Sequence, residues 1–236
     1  MEARQEFLCC AWVAAMKIQV ALDLLDIRRA VGLARELCES GLEMVEAGTP
    51  LIKMYGMSAV GAIKAACPRA EVVADLKTAD VGELEARLAR EFGADWGTVL
   101  GATNIETIEE FVRAGRSAGL KTAVDLLGVR DALGRAREIM GRVTPDMFVL
   151  HVGIDVQSRA GLDLDGLLDA ASKLRGEGVS VGIAGGITER EIERIVSGKR
   201  EVDVVIIGRA IVNDPSPRSK FAALNNTLKR ARAGGT

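Results

Sequence analysis

Eight short runs of β-branched and other apolar residues recur along the chain about every 25 residues, each followed by a longer segment of helical period. The runs are IQVALDL (18–24), MVEAG (44–48), EVVADLK (71–77), WGTVLG (96–101), KTAVDLLG (121–128), MFVLHVG (147–153), VSVGIAGG (179–186) and VDVVIIG (202–208). Between them, Ile27 to Glu39, Ser58 to Ala66, Gly82 to Phe92, Ile105 to Ala118 and Asp131 to Met140 are rich in Ala, Leu, Glu and Arg, all good helix formers. Strands that are apolar on both faces must be covered on both, which is the situation of parallel strands joined by helices. Eight such units in about 220 residues predict a closed α/β architecture, a single-domain (β/α)8 TIM barrel, rather than an open doubly wound sheet.

No linker or low-complexity tract divides the units, so residues 16–231 read as one barrel domain and 232–236 as a tail that frays. Residues 1–15 read as an extension, either an added helix or the result of a start upstream of Met16, which stands two residues before the first strand run. The apolar run Phe7 to Ala15 is too short to span a bilayer and follows Glu2 and Glu6 rather than a basic segment, against a secretory signal. With 31 basic and 33 acidic residues the net charge is −2, which leaves no footprint for nucleic acid or an anionic membrane. A small molecule is the expected partner. Cys9, Cys10, Cys38 and Cys67 show neither zinc-ligand spacing nor a disulfide framework, and a reduced, cytoplasmic chain is expected.

Barrels of this kind carry their reactive groups at the C-terminal ends of the strands. Asp23, Glu46, Asp75, Lys77, Asp125 and His151 all fall there, at the ends of runs one, two, three, five and six. Asp75 and Lys77, at i and i+2, point to the same face. Each carboxylate alone could simply close a polar rim by pairing with a lysine. Several together are harder to place, because two ionised carboxylates about 4 Å apart repel by about 4 kcal/mol at an effective dielectric near 20. Lys77 offsets one; Glu46 with Asp75 suits a hard divalent ion, magnesium rather than zinc.

The last two units look like a phosphate site. GIAGGIT ends run seven in Gly185 and Gly186, and IIGRAI ends run eight in Gly208 and Arg209. Glycines let backbone N–H groups approach an anion, and the arginine adds a charge-assisted contact.

ALDLLD (21–26), EAGTPLIK (46–53), ADLKTAD (74–80), VDLLGV (124–129), HVGIDVQ (151–157), AGGI (184–187) and IIGRAI (206–211) together resemble the orotidine-5′-phosphate decarboxylase superfamily. Within it they look most like the branch of 3-hexulose-6-phosphate synthases, barrels of the ribulose-phosphate-binding type. The resemblance implies a magnesium-dependent aldol-type lyase that joins formaldehyde to D-ribulose 5-phosphate, or runs in reverse. It implies Glu46 and Asp75 as metal ligands and Lys77 as the group that stabilises an enediolate. Asp80 would orient Lys77 across a homodimer interface, His151 would move the proton at C1, and Asp23 would join the catalytic group. Gly185, Gly186, Gly208 and Arg209 would hold the phosphate, with Asp125, Asp155 and Gln157 as lesser substrate contacts.

Two sister activities compete. Decarboxylases of 3-keto-L-gulonate 6-phosphate resemble His-x-x-Arg after strand six, where this chain has Ile154. Orotidine-5′-phosphate decarboxylases share Asp-x-Lys-x-x-Asp without needing the glutamate that Glu46 supplies. A barrel that binds phosphosugars without turnover is the reading from outside enzymology, and it has no missing residue to support it. Ala47 stands where the family more often has a branched residue, a matter of packing against helices.

Overall fold

The computed structural model describes residues 16–160, 163–198 and 202–233. The extension 1–15 and the last tail residues, 234–236, lie outside the described residues. Eight parallel strands close into a barrel in chain order: β1 (Lys17–Leu22), β2 (Met44–Ala47), β3 (Glu71–Thr78), β4 (Trp96–Leu100), β5 (Lys121–Asp125), β6 (Met147–His151), β7 (Ser180–Ala184) and β8 (Val204–Ile207). β1 closes the ring by pairing with both β2 and β8, with Gln19 opposite Met44 on one side and Ile206 on the other. The expected barrel is therefore the observed one, and every strand but β3, which runs on to Thr78, ends earlier than its apolar run. Asp23, Gly48, Gly101, Val152, Gly185 and Gly208 all leave the sheet to open the loops at the mouth.

The helices form the outer layer: α1 (Ile27–Glu39), α2 (Thr49–Tyr55), α3 (Ser58–Ala66), α4 (Gly82–Glu91), α5 (Ile105–Ala118), α6 (Ala132–Met140), α7 (Ile154–Ala160), α8 (Leu164–Gly176), α9 (Glu189–Ser197), α10 (Arg209–Val212) and α11 (Pro217–Ala233). Their starts are chemically marked. Asp26 accepts from the N–H groups of Arg28 and Arg29 at the start of α1, and Thr188 forms a capping box with Glu191 at the start of α9. None of the helices among the described residues is long and apolar enough to cross a membrane.

Strand alternation divides the apolar residues into two cores. Val20, Leu22, Val45, Val72, Val124, Phe148, Val181, Ile183 and Val205 face outward into the main core beneath the helices. Met44, Val73, Trp96, Ala123, Met147, Val149, Ala184 and Val204 form a second, smaller cluster inside the ring. Burying a large apolar side chain contributes about 1.5–3 kcal/mol, so the outer layer holds the barrel while the inner cluster plugs its floor. Above that floor the same inward registers become polar: Val73 gives way to Asp75 and Lys77, Ala123 to Asp125, and Val149 to His151.

One expectation is corrected. Cys38, near the end of α1, is disulfide-bonded to Cys67, which ends α3, with 5.8 Å between Cα atoms and a separation of 29 positions in sequence. No spacing rule could pair them; α1 and α3 pack together on the outside of the barrel and bring the two thiols into range. Closing a loop of this length restricts the unfolded chain, by about 2–4 kcal/mol in the chain-entropy account. Cys38→Ser is expected to lower the unfolding free energy of the oxidised protein by about that amount, and dithiothreitol to lower the Tm of the parent but not of the variant. Equal Tm values in all four conditions would show that the bond carries no stability.

Candidate active site

The polar upper half of the barrel interior opens into a cavity of about 1320 Å³, ample for a phosphorylated pentose. Its walls are inward-facing residues two apart along each strand: Gln19, Ala21 and Asp23 of the first unit, Asp75 and Lys77 of the third, Asp125 of the fifth and His151 of the sixth. Glu46, Asp75 and Asp125 are 6%, 4% and 3% exposed, a degree of burial that charged groups reach only when paired.

Lys77 is the link between the two aspartates. Its Nζ donates to Asp75 Oδ2 at 2.5 Å and lies 3.4 Å from Asp125 Oδ2. Asp125 in turn meets His151 Nδ1 at 2.9 Å and accepts from the N–H of Leu127 at 2.9 Å. The result is one continuous array, His151–Asp125–Lys77–Asp75, across strands β6, β5 and β3. Lys77 sits at φ 46°, a region that non-glycine residues seldom occupy, and the β3–β4 register shifts between Ala74 and Thr78. Thr98 braces this irregularity. Its Oγ1 accepts the N–H of Lys77 at 2.9 Å and donates to Asp75 Oδ1 at 2.9 Å.

The EAGTP segment explains itself in the same space. Glu46 faces the cavity and accepts from the amide of Gln19. A Cβ on Gly48 would stand 2.2 Å from Asp23 Oδ1, so only glycine lets Asp23 fold over this turn. Thr49 Oγ1 donates to Asp75 Oδ2 at 2.6 Å, and Pro50 follows in the first turn of α2, where a missing N–H costs nothing.

Protonation follows from this crowding. Burial raises the pKa of Glu46 well above the ordinary range, and the charge of Asp75 adds to the effect, with Lys77 and the Gln19 hydrogen bond opposing. Burial and Asp75 likewise raise Asp23. For Lys77 burial favours the neutral amine, but the charges of Asp75, Asp125 and Glu46 outweigh it and hold the ammonium firmly protonated. Asp125 stays lowered despite its burial, because His151 and Lys77 surround it. Asp23, Glu46 and Asp75 thus share a single nearby ammonium. Among the described residues no group of three or more His, Cys, Asp or Glu side chains stands ready to hold an ion unaided. The donor set of Glu46 and Asp75 does fit a hard divalent cation, since it is all oxygen, buried and short of positive charge.

At the rim, Gly185 and Gly186 adopt φ +105° and +68°, and a Cβ on Gly185 would lie 2.3 Å from the carbonyl oxygen of Val152. Gln157 packs over this turn, donating to Val152 O and accepting from Arg209 at 3.4 Å. Gly208 passes beside Asp23, its Cβ position 3.6 Å from Asp23 Oδ2. Gly185, Gly186, Gln157, Gly208 and Arg209 therefore meet at one side of the mouth, and Asp155 lines it from the first turn of α7. Asp80 is the exception among the predicted residues. It is exposed, accepts the N–H of Val81 at 2.8 Å and lies outside the cavity of its own chain.

Gln19, Thr49 and Thr98 were not singled out by sequence reasoning. A signal existed for two of them: Gln19 and Thr98 are polar residues in otherwise apolar strands, in register with the inward face.

An eight-stranded barrel whose ionisable groups converge at its C-terminal mouth is an enzyme-like architecture. The chain belongs to the orotidine 5′-phosphate decarboxylase / HUMPS family, whose sequence model matches residues 16–224. It is 40% identical over 208 residues to the 3-hexulose-6-phosphate synthase of Mycobacterium gastri, covering 87% of this chain and 97% of that relative. A bifunctional enzyme Fae/Hps of Methanoculleus marisnigri is 38% identical over 194 residues, but the match spans only 48% of that longer protein. Among solved structures, a crystal structure of 3-hexulose-6-phosphate synthase superimposes with a TM-score of 0.83 at 38% identity, over 90% of this chain and 99% of that one.

Thr98→Val keeps the shape of the side chain and strips Lys77 N–H and Asp75 of a shared partner. It is expected to lower the unfolding free energy by about 1–3 kcal/mol, read by urea denaturation. An unchanged denaturation midpoint would mean that the Lys77 backbone needs no such brace.

Proposed function

We propose that this protein is an aldol-type carbon–carbon lyase that condenses formaldehyde with D-ribulose 5-phosphate to D-arabino-hex-3-ulose 6-phosphate, or catalyses the reverse. The observation that carries the reading is the His151–Asp125–Lys77–Asp75 array beside Glu46, in a chain 40% identical to a synthase of that name. The sugar's phosphate lies against Gly185, Gly186, Gly208 and Arg209, which directs its C1 end toward Lys77 and His151. Asp125 accepts from His151 Nδ1 and so leaves Nε2 as the basic nitrogen. Nε2 takes the C1 proton, the C–H electrons move onto the carbonyl oxygen, and the resulting enediolate is faced by the fixed ammonium of Lys77. C1 then bonds to the carbon of formaldehyde, whose oxygen gains the proton held by His151. Glu46 and Asp75 would hold a divalent ion, magnesium in first place, which when bound supplies a second positive charge beside the sugar oxygens. Asp23 neighbours the same space and, with Asp155 and Gln157, orders the hydroxyl groups and the rim.

A homodimer completes this reading. Asp80 is exposed beside Val81 and Leu84, themselves 54% and 55% exposed, and an interface there would bring each Asp80 to its neighbour's Lys77. Ile154, at the start of α7, offers no guanidinium to the cavity, which weighs against decarboxylation of keto-gulonate phosphate.

The test is formaldehyde consumption by the purified protein with ribulose 5-phosphate and magnesium, then with the metal chelated. Loss of formaldehyde only with sugar phosphate and metal together is expected; consumption that survives chelation would remove the metal from the scheme. Glu46→Gln is expected to abolish the metal-dependent turnover while leaving the Tm near that of the parent. Arg209→Ala should raise KM for ribulose 5-phosphate about tenfold or more with a smaller change in kcat. An unchanged KM would move the phosphate elsewhere.

A further inference from the structure

Gln19 takes no part in the chemistry proposed above, yet it is 2% exposed in the middle of β1 and faces the barrel interior. Its amide nitrogen donates to Glu46 Oε2, the one hydrogen bond that the Glu46 side chain makes among the described residues. Its amide oxygen is buried without a partner. Its two neighbours across the sheet, Met44 and Ile206, are apolar. A position that served packing alone would be apolar here too, because a buried carbonyl oxygen without a donor destabilises the fold.

Register supplies the reason for an amide of this length. Glu46 pairs across the sheet with Ala21, whereas Gln19 pairs with Met44, one inward layer lower. A side chain with two methylene groups reaches up one layer to the carboxylate; asparagine would fall short. We propose that Gln19 is a positioning residue for the cation site: it pins one oxygen of Glu46 so that the other oxygen, together with Asp75, meets a divalent ion. The inference rests on the metal reading given under the proposed function. It also accounts for the orphaned carbonyl as the cost of keeping a donor at that depth.

The probe is Mn²⁺, followed by the electron paramagnetic resonance of the free ion, with no substrate present. The parent protein is expected to bind it. Gln19→Met and Gln19→Asn are expected to bind about 10- to 100-fold more weakly, the range usual for loss of a group that orients a metal ligand. The Tm of Gln19→Met should stay near that of the parent, since the orphaned oxygen goes with the amide while buried Glu46 loses its donor. Parent-like Mn²⁺ affinity in Gln19→Met would overturn the proposal, and a lowered Tm beside it would assign Gln19 to core packing. Should Gln19→Met not fold, Gln19→Asn decides alone by the same affinity. A parent protein that does not bind Mn²⁺ would remove the metal reading first, and this inference with it.

Discussion

The ammonium of Lys77 is the charge on which the barrel mouth depends. Asp75 and Asp125 come from strands that are not neighbours, and both reach Lys77. With that one cation removed, two carboxylates of low exposure would face each other without compensation, and leaving a buried charge unpaired is among the most destabilising changes a fold can suffer. The closed ring makes the arrangement possible. It fixes β3 and β5 on either side of β4, so that Thr98 between them can brace the kinked backbone of Lys77.

This constraint ranks the other residues. Groups that touch Lys77 directly, Asp75 and Asp125, are held by several partners each: Thr49 and Thr98 on one, His151 and the Leu127 N–H on the other. Glu46 and Asp23 lie at the edge of the array, and burial together with the charge of Asp75 raises the pKa of both. The divalent ion of the proposed function would sit on that less satisfied side. The geometry thereby separates a permanent positive charge, built from the chain, from a place where an added one is favourable.

Much of the fold was legible because each strand is apolar on both faces and each helix follows at a regular interval, a pattern with few alternatives. The polar ends of those strands were legible for the same reason: Asp75 and Lys77 interrupt an apolar run that has no local need of charge. Strand ends were overrun, since glycines and apolar residues such as Leu24 and Leu126 continue past the point where pairing stops. Thr49 and Thr98 were missed because a threonine in a turn or a strand is ordinary, and only three-dimensional register shows that both reach Asp75. The Cys38–Cys67 bond was missed because it depends on two helices packing, which no spacing encodes. The role expected of Asp80 rests on resemblance alone, as within one chain it is exposed and is not among the residues that line the cavity.

The apolar floor inside the ring has a further consequence. Met44, Val73, Trp96, Ala123, Met147 and Val149 close the barrel below the polar layer. Among the described residues, the cavity lies above this floor, on the side of the polar strand ends. On the proposed function, a five-carbon sugar phosphate and a one-carbon aldehyde share its opening, and whichever enters last stands between the first and solvent. If the phosphate lies against Gly185, Gly186, Gly208 and Arg209 as proposed, a bound sugar would occupy the mouth as well as the site. On that reading the small aldehyde would travel past or ahead of the sugar at the mouth, because the apolar floor fills the body of the barrel.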